Sequence, residues 1–102
     1  MKEVLERNSR RRRDRLYIIA DILVIAKNES LKTQIMYKAN LSFAQLNEYL
    51  SFLLEVKLIM PIMQSDRKAY RVTPKGMRFL QDYAEIEGLL KTDGEREGRT
   101  TH

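Results

Sequence analysis

The stretch Lys32-Thr33-Gln34-Ile35-Met36-Tyr37-Lys38-Ala39-Asn40-Leu41-Ser42-Phe43-Ala44-Gln45-Leu46-Asn47-Glu48-Tyr49-Leu50 reads as two helices hinged on a tight turn. Leu31, Ile35 and Met36 give a short apolar face, Asn40 and Ser42 interrupt it, and Leu46, Leu50, Leu53 and Leu54 resume at helical spacing. Ser42 is placed to cap the second helix. Its hydroxyl can accept a hydrogen bond from the Gln45 N–H, and Gln45, third in the helix, can reach back as in a capping box. In the turn, Asn40 can take positive φ and Leu41 can plug the core.

Upstream, Leu16, Ile19, Ala20, Leu23 and Ala26 share one helical face, which Ile18 and Ile22 widen, so a largely buried first helix is expected. The run is β-branched enough for a strand. Its length and its closing Lys27-Asn28 favour a helix, because Asn tolerates a left-handed terminus and Lys suits the negative end. Ser30 is the expected cap of a helix starting at Leu31. Downstream, the helix over 43–55 ends near Lys57, which takes a turn position that glycine would occupy more easily, and Leu58 re-enters the core.

From Ile59 the period changes. Ile59-Met60-Pro61-Ile62-Met63 and Ala69-Tyr70-Arg71-Val72-Thr73 read as two strands around the polar turn Gln64-Ser65-Asp66-Arg67-Lys68, with Pro61 confining the first to an edge or a bulge. Thr73 and Pro74 then open a last helix as N-cap and first helical residue. Met77, Leu80 and Ala84 are expected to face the core. Phe79, Tyr83, Ile86 and Leu90 form a second stripe of heptad character. A domain this small does not easily bury that stripe, which is therefore expected to join a symmetric homodimer.

The 102 residues suit one domain. The expected organisation is a basic N-terminal arm over 1–15, a folded domain over 16–91 and a disordered, glycine-containing tail over 92–102. The fold class is mainly α with a small β-hairpin (α+β): three helices, a two-stranded wing and a C-terminal helix, a winged helix-turn-helix. Charge is uneven along it. Seven basic against three acidic residues fall within the first fifteen, a net +4 of the chain's +5. A pI near 9.6 favours a polyanionic partner.

Several classes are excluded. The longest apolar run, 16–26, is interrupted by Asp21 and is too short to span a bilayer, and no apolar stretch resembling a secretory signal follows the N-terminal arginines. With no cysteine and a single histidine, His102, the chain offers no disulfide, zinc site or nucleophile-base pair. No enzyme activity, cofactor, metal, small-molecule ligand or membrane partner is expected, and the expected location is cytoplasmic and nucleoid-associated.

Residues 16–90 resemble a small archaeal winged-helix family of DNA-binding and chromatin-like proteins. The resemblance rests on Ile-Ile-Ala-Asp-Ile-Leu at 18–23 and on Lys-Thr-x-Ile-Met-Tyr-Lys-Ala-Asn-Leu-Ser at 32–42. It continues in Leu-x-x-Tyr-Leu-x-Phe-Leu-Leu at 46–54 and Tyr-x-x-Thr-x-Lys-Gly at 70–76. It implies sequence-tolerant or regulatory binding of double-stranded DNA and a dimer made through the last helix. The sequence departs from the family where lysines would line the recognition helix, offering Phe43, Ala44, Gln45, Asn47, Glu48 and Ser51 instead.

A helix-turn-helix presents the first turns of its second helix to a groove of DNA. Gln45 and Asn47 can pair with adenine and Phe43 can touch a thymine methyl; equally, Gln45 can serve only as a cap and Phe43 can pack on the hairpin. Arg10, Arg11, Arg12 and Arg13 suit phosphates, as do Arg67 and Lys68 on the hairpin and Lys32, Thr33 and Ser42 at the helix starts. Tyr37 and Tyr49 read as core or rim aromatics. The alternative reading is a protein-interaction winged helix that uses the neutral helix face without direct DNA readout.

Overall fold

The computed structural model describes residues 14–91. In order, it has α1 (Arg15–Ala26), β1 (Ser30–Leu31), α2 (Lys32–Ala39), α3 (Phe43–Glu55), β2 (Ile59–Gln64), β3 (Arg67–Val72) and α4 (Pro74–Leu89). The expected arm at Arg10 to Arg13 and the expected tail over 92–102 lie outside the described residues.

Helix α1 runs through the centre and packs on α2, α4 and β3. Its Ile22, Leu23 and Ala26 are sealed from solvent together with Ile35, Leu46 and Leu53. Asp14 starts it: the carboxylate accepts from the Tyr17 N–H at 2.9 Å, a cap that places Arg15 in the helix rather than in the arm. Leu16, expected in the core, is half-exposed. The buried face turns instead through Ile18, Ile19 and Ile22.

Helices α2 and α3 each end in the same way. Asn40 (φ 59°) and Lys57 (φ 65°) are left-handed, as the sequence suggests. After Asn40, the Leu41 N–H donates to Met36 O at 3.1 Å; after Lys57, the Leu58 N–H donates to Leu53 O at 2.9 Å. Each pattern closes a helix and sends the next leucine into the core. At the end of α1 the left-handed residue is Glu29 (φ 50°), one place later than Asn28. The shift has a tertiary cause, since the Glu29 carboxylate pairs with Arg71 at 2.9 Å and its carbonyl accepts from Gln64 Nε2 at 3.1 Å.

The hairpin is joined by a third, short strand, giving an antiparallel sheet in the order β1-β3-β2. Ser30 therefore does not cap α2: it pairs with Tyr70 in the sheet, and its buried hydroxyl donates to Ile25 O at 3.0 Å. Pro61 sits on the edge strand β2, as its missing N–H requires. The turn is tighter than the five residues expected. Ser65 and Asp66 alone make it, both at positive φ, the geometry that matches the twist of a two-residue hairpin.

Helix α4 opens as the sequence indicates, with Thr73 Oγ1 accepting from the Gly76 N–H at 3.0 Å and Pro74 first in the helix. Its rotation differs from expectation. Met77 and Ala84 are exposed, while Tyr83 is only 8% exposed and Phe79 and Leu80 pack against the core. Gly76 sets this phase. A Cβ there would fall on the Leu58 carbonyl and come within 2.6 Å of Val72 Cγ2, so the helix backbone lies directly on that loop. Positions 79, 80 and 83 follow Gly76 onto the inner face at helical spacing. Among the described residues no helix is long and apolar enough to cross a membrane.

Gly76→Ala is expected to lower stability by about 1–3 kcal/mol, the overpacking range, although alanine is the better helix former by about 1 kcal/mol. Urea denaturation checks this, and an unchanged or raised midpoint would show that α4 lifts off Leu58 without cost.

Candidate nucleic-acid interface

The N-terminal ends of α2 and α3 form the candidate surface, and capping fixes both. At α3, Ser42 Oγ accepts from the Gln45 N–H at 3.1 Å and Gln45 Oε1 accepts from the Ser42 N–H at 3.0 Å, the reciprocal box legible in the sequence. At α2 half of this arrangement is present. The N-cap position is Leu31, which has no side-chain acceptor, and Gln34 Oε1 accepts from its N–H at 2.7 Å.

The two helix starts meet through side chains. Lys32 Nζ lies 4.6 Å from the centroid of the Phe43 ring, a contact worth about 0.5–1 kcal/mol at an exposed site. Phe43 is 61% exposed, so it stands in solvent rather than packing on the hairpin. Thr33, Ser42, Ala44, Gln45 and Glu48 are exposed beside it, and Asn47 is half-buried.

Gln45 is engaged more than its sequence position reveals. A paired contact to adenine uses both the oxygen and the nitrogen of a glutamine amide. With Oε1 held by the Ser42 N–H, only Nε2 is left to donate while the cap is intact.

Arg67 and Lys68 are exposed, but they are the first two residues of β3, opposite Gln64 and Met63, rather than part of the turn. Other cations have intramolecular roles. Arg71 pairs with Glu29, the Arg15 guanidinium lies 5.5 Å from the Tyr49 ring centroid, and Lys75 Nζ donates to Val56 O at 2.8 Å. Tyr49 is thus a rim aromatic, as expected.

Tyr37 is not: it is 78% exposed on the outer side of α2. The signal was present in the sequence, because Ile35 and Ala39 set the inner stripe and position 37 lies about 200° around the helix from Ile35. Exposed Met63 on the wing also escaped the sequence reading.

The expected dimer stripe is divided. The Phe79 and Tyr83 rings stack at 6.1 Å, and both turn inward on their own domain. Ile86 and Leu90 are exposed, joined by Leu89. Among the described residues no group of three or more His, Cys, Asp or Glu side chains could hold a metal. Burial pushes the Tyr70 phenol above its ordinary value, an effect of its place in the core.

Residues 12–91 match the model of a family described as winged helix-turn-helix. The chain is 36% identical over 83 residues to MJ0290, an uncharacterised protein of Methanocaldococcus jannaschii, in a match covering 80% of this chain and 37% of that protein. The chain thus spans little more than a third of that relative. It is 30% identical over 87 residues to MJ0287 of the same organism, covering 84% of this chain and 86% of that protein. Its fold is similar to the crystal structure of Sso10a-2, a DNA-binding protein from Sulfolobus solfataricus, with a TM-score of 0.64 and 23% identity; 88% of this chain and 98% of that one are covered.

Ser42→Ala is expected to cost about 1 kcal/mol through loss of the cap. Combined with Gln45→Ala it should cost less than the two changes added, because both bonds belong to one box. A double-mutant cycle in urea measures this coupling, and strict additivity would show that the two bonds form independently.

Proposed function

The chain belongs to the winged helix-turn-helix family, and from that membership we propose that it binds double-stranded DNA as a transcription regulator or an architectural protein. The observation that carries the proposal is the solvent-facing start of α3, held by its capping box and joined to α2 through Lys32 and Phe43. The DNA-binding description of Sso10a-2, which shares the fold, supports it.

In this reading α3 enters the major groove, Phe43 touches a thymine methyl, and Asn47 and Gln45 Nε2 hydrogen-bond base edges. Ser42 keeps its hydroxyl proton while its oxygen caps the helix, so it donates to a phosphate. Lys32 and Thr33 hold the neighbouring phosphate at the start of α2. Arg67 and Lys68 meet the backbone or the minor groove. The arm over 1–15 supplies most of the affinity through Arg10, Arg11, Arg12 and Arg13, each phosphate neutralised releasing condensed counterions. Ile86 and Leu90 join two copies, and the nucleoid is the corresponding location.

Fluorescence anisotropy on a duplex over a series of salt concentrations tests this proposal. Affinity should fall linearly on a log–log plot, with a slope of about −0.9 per phosphate neutralised. Replacing Arg67 and Lys68 by alanine should reduce the slope by about 2, and replacing the four arginines should reduce it further. No binding at low salt overturns the proposal, and unchanged affinity without the four arginines overturns the role of the arm. The exposed Ala44 and Glu48 favour a protein-binding face as the competing reading. A complex from cell extract that survives nuclease treatment, together with no duplex binding, would decide for it.

A further inference from the structure

Past Ala69 the wing loses its third strand. Strand β1 pairs with β3 at Tyr70 and Ala69, so Met63, Gln64, Arg67 and Lys68 continue as a two-stranded ribbon, an arrangement that is marginally stable on its own. Its direction has to be set from outside. The register fixes how the two wing cations stand: Arg67 lies opposite Gln64 and shares its face, whereas Lys68 lies opposite Met63 on the other face. A twist of the ribbon therefore moves both cations at once.

One residue between α1 and β1 holds this ribbon at two points. The Glu29 carbonyl accepts from Gln64 Nε2 at 3.1 Å, next to the turn, and Glu29 Oε2 accepts from Arg71 Nε at 3.0 Å and from Arg71 Nη2 at 2.9 Å, farther along β3. By alternation, Gln64 and Arg71 stand on the same face as Arg67. Glu29 is also left-handed, with φ 50°, although Asn28 before it would take that geometry at less cost. Such strain persists where surrounding contacts over-determine it, and here those contacts run to the wing. The Arg71 and Glu29 side chains are 44% and 42% exposed, so their pairing adds little to stability. What it supplies is direction. We propose that Glu29 is the positioning residue of the wing: through Gln64 and Arg71 it holds the ribbon at the angle at which Arg67 and Lys68 reach the phosphates of a duplex. The inference rests on the DNA-binding reading above. It predicts a sign that charge alone does not. Glu29 is an anion and occupies Arg71, so on electrostatics alone its removal strengthens attraction to a polyanion; if it aims the wing, its removal weakens binding.

The test measures duplex binding by the full chain over a salt series for two variants. Glu29→Ala removes the carboxylate and leaves the carbonyl in place; Gln64→Ala removes the second tie and changes no charge. The urea midpoint of each shows that the fold is kept. Each variant is expected to bind more weakly than the unaltered chain, and the two changes combined should reduce the log–log salt slope by up to about 2, one for each wing cation. In a chain that already carries Arg67→Ala and Lys68→Ala, the same two changes should cause no further weakening, because no wing cation is left to aim. Equal or tighter binding with Glu29→Ala overturns the positioning role and leaves the DNA-binding reading standing. A loss that persists in full without Arg67 and Lys68 does the same, since it does not pass through the wing. Absence of duplex binding by the unaltered chain at low salt overturns both.

Discussion

The backbone at Leu58 ties three parts of the molecule together. Its N–H closes α3 by donating to Leu53 O, and its carbonyl accepts from the Thr73 N–H at 3.1 Å at the start of α4. Gly76 lies against that same carbonyl. Around it, Thr73 Oγ1 donates to Lys57 O at 2.7 Å and Lys75 Nζ donates to Val56 O. The carbonyls of Phe52, Leu53 and Leu54 in the last turn of α3 accept from the N–H groups of Val56, Leu58 and Lys57, and the first residues of α4 satisfy the carbonyls of the three residues that follow the helix, Val56, Lys57 and Leu58. Lys57 takes a left-handed conformation to make the turn, which costs about 1–2 kcal/mol for a residue with a Cβ. Burying Leu58 contributes about 1.5–3 kcal/mol in return.

That junction explains which parts of the fold were legible in the sequence. Short-range devices were readable: the Ser42–Gln45 box, Asn40 and Lys57 as left-handed stops, Pro61 at a sheet edge, and Thr73 with Pro74 opening a helix. Each depends on residues within four or five positions of one another. The features that escaped depend on distant backbone. Ser30 joins a sheet because Tyr70 lies opposite it, and Glu29 turns left-handed because Arg71 and Gln64 hold it. The phase of α4 was misjudged because nothing in the local spacing shows that the Leu58 backbone lies beneath Gly76. For the candidate interface, the sequence gives residue types and the capping register. It does not show that the cap occupies the Gln45 oxygen or that Lys32 reaches Phe43, since both are matters of side-chain direction.

The outer face of α3 is nearly neutral, and the described cations explain why that matters. Arg15, Arg71 and Lys75 are each engaged within the fold, on an aromatic ring, a carboxylate and a helix-end carbonyl respectively. Their charge still adds to the long-range field, but their side chains are held where the fold uses them. In the DNA-binding reading, affinity and readout therefore divide between different parts of the chain. The arm and the wing supply salt-sensitive attraction to any duplex, while Phe43 and Asn47 supply a small discrimination among bases. A protein built this way binds many sequences with similar strength, which suits an architectural role better than tight single-site repression.

The junction at Leu58 also bears on how two copies would act together. The start of α4 is tied to the end of α3 by three hydrogen bonds and a backbone contact that admits no side chain. In a dimer joined through α4, displacement of one helix relative to the other would carry each α3 with it, with no flexible linker to absorb the change. The separation of the two α3 helices would then be set by packing rather than by the DNA. Recognition of two half-sites needs those helices about 34 Å apart, one turn of the duplex. In such a dimer a rigid α3–α4 corner would fix that separation before binding and so lower the entropic cost of ordering the two halves when DNA is met. In that reading the corner would connect the dimer contact to the reading face, and a neutral α3 would gain most from the connection, because two poorly discriminating helices held at a fixed distance would select for spacing as well as for bases.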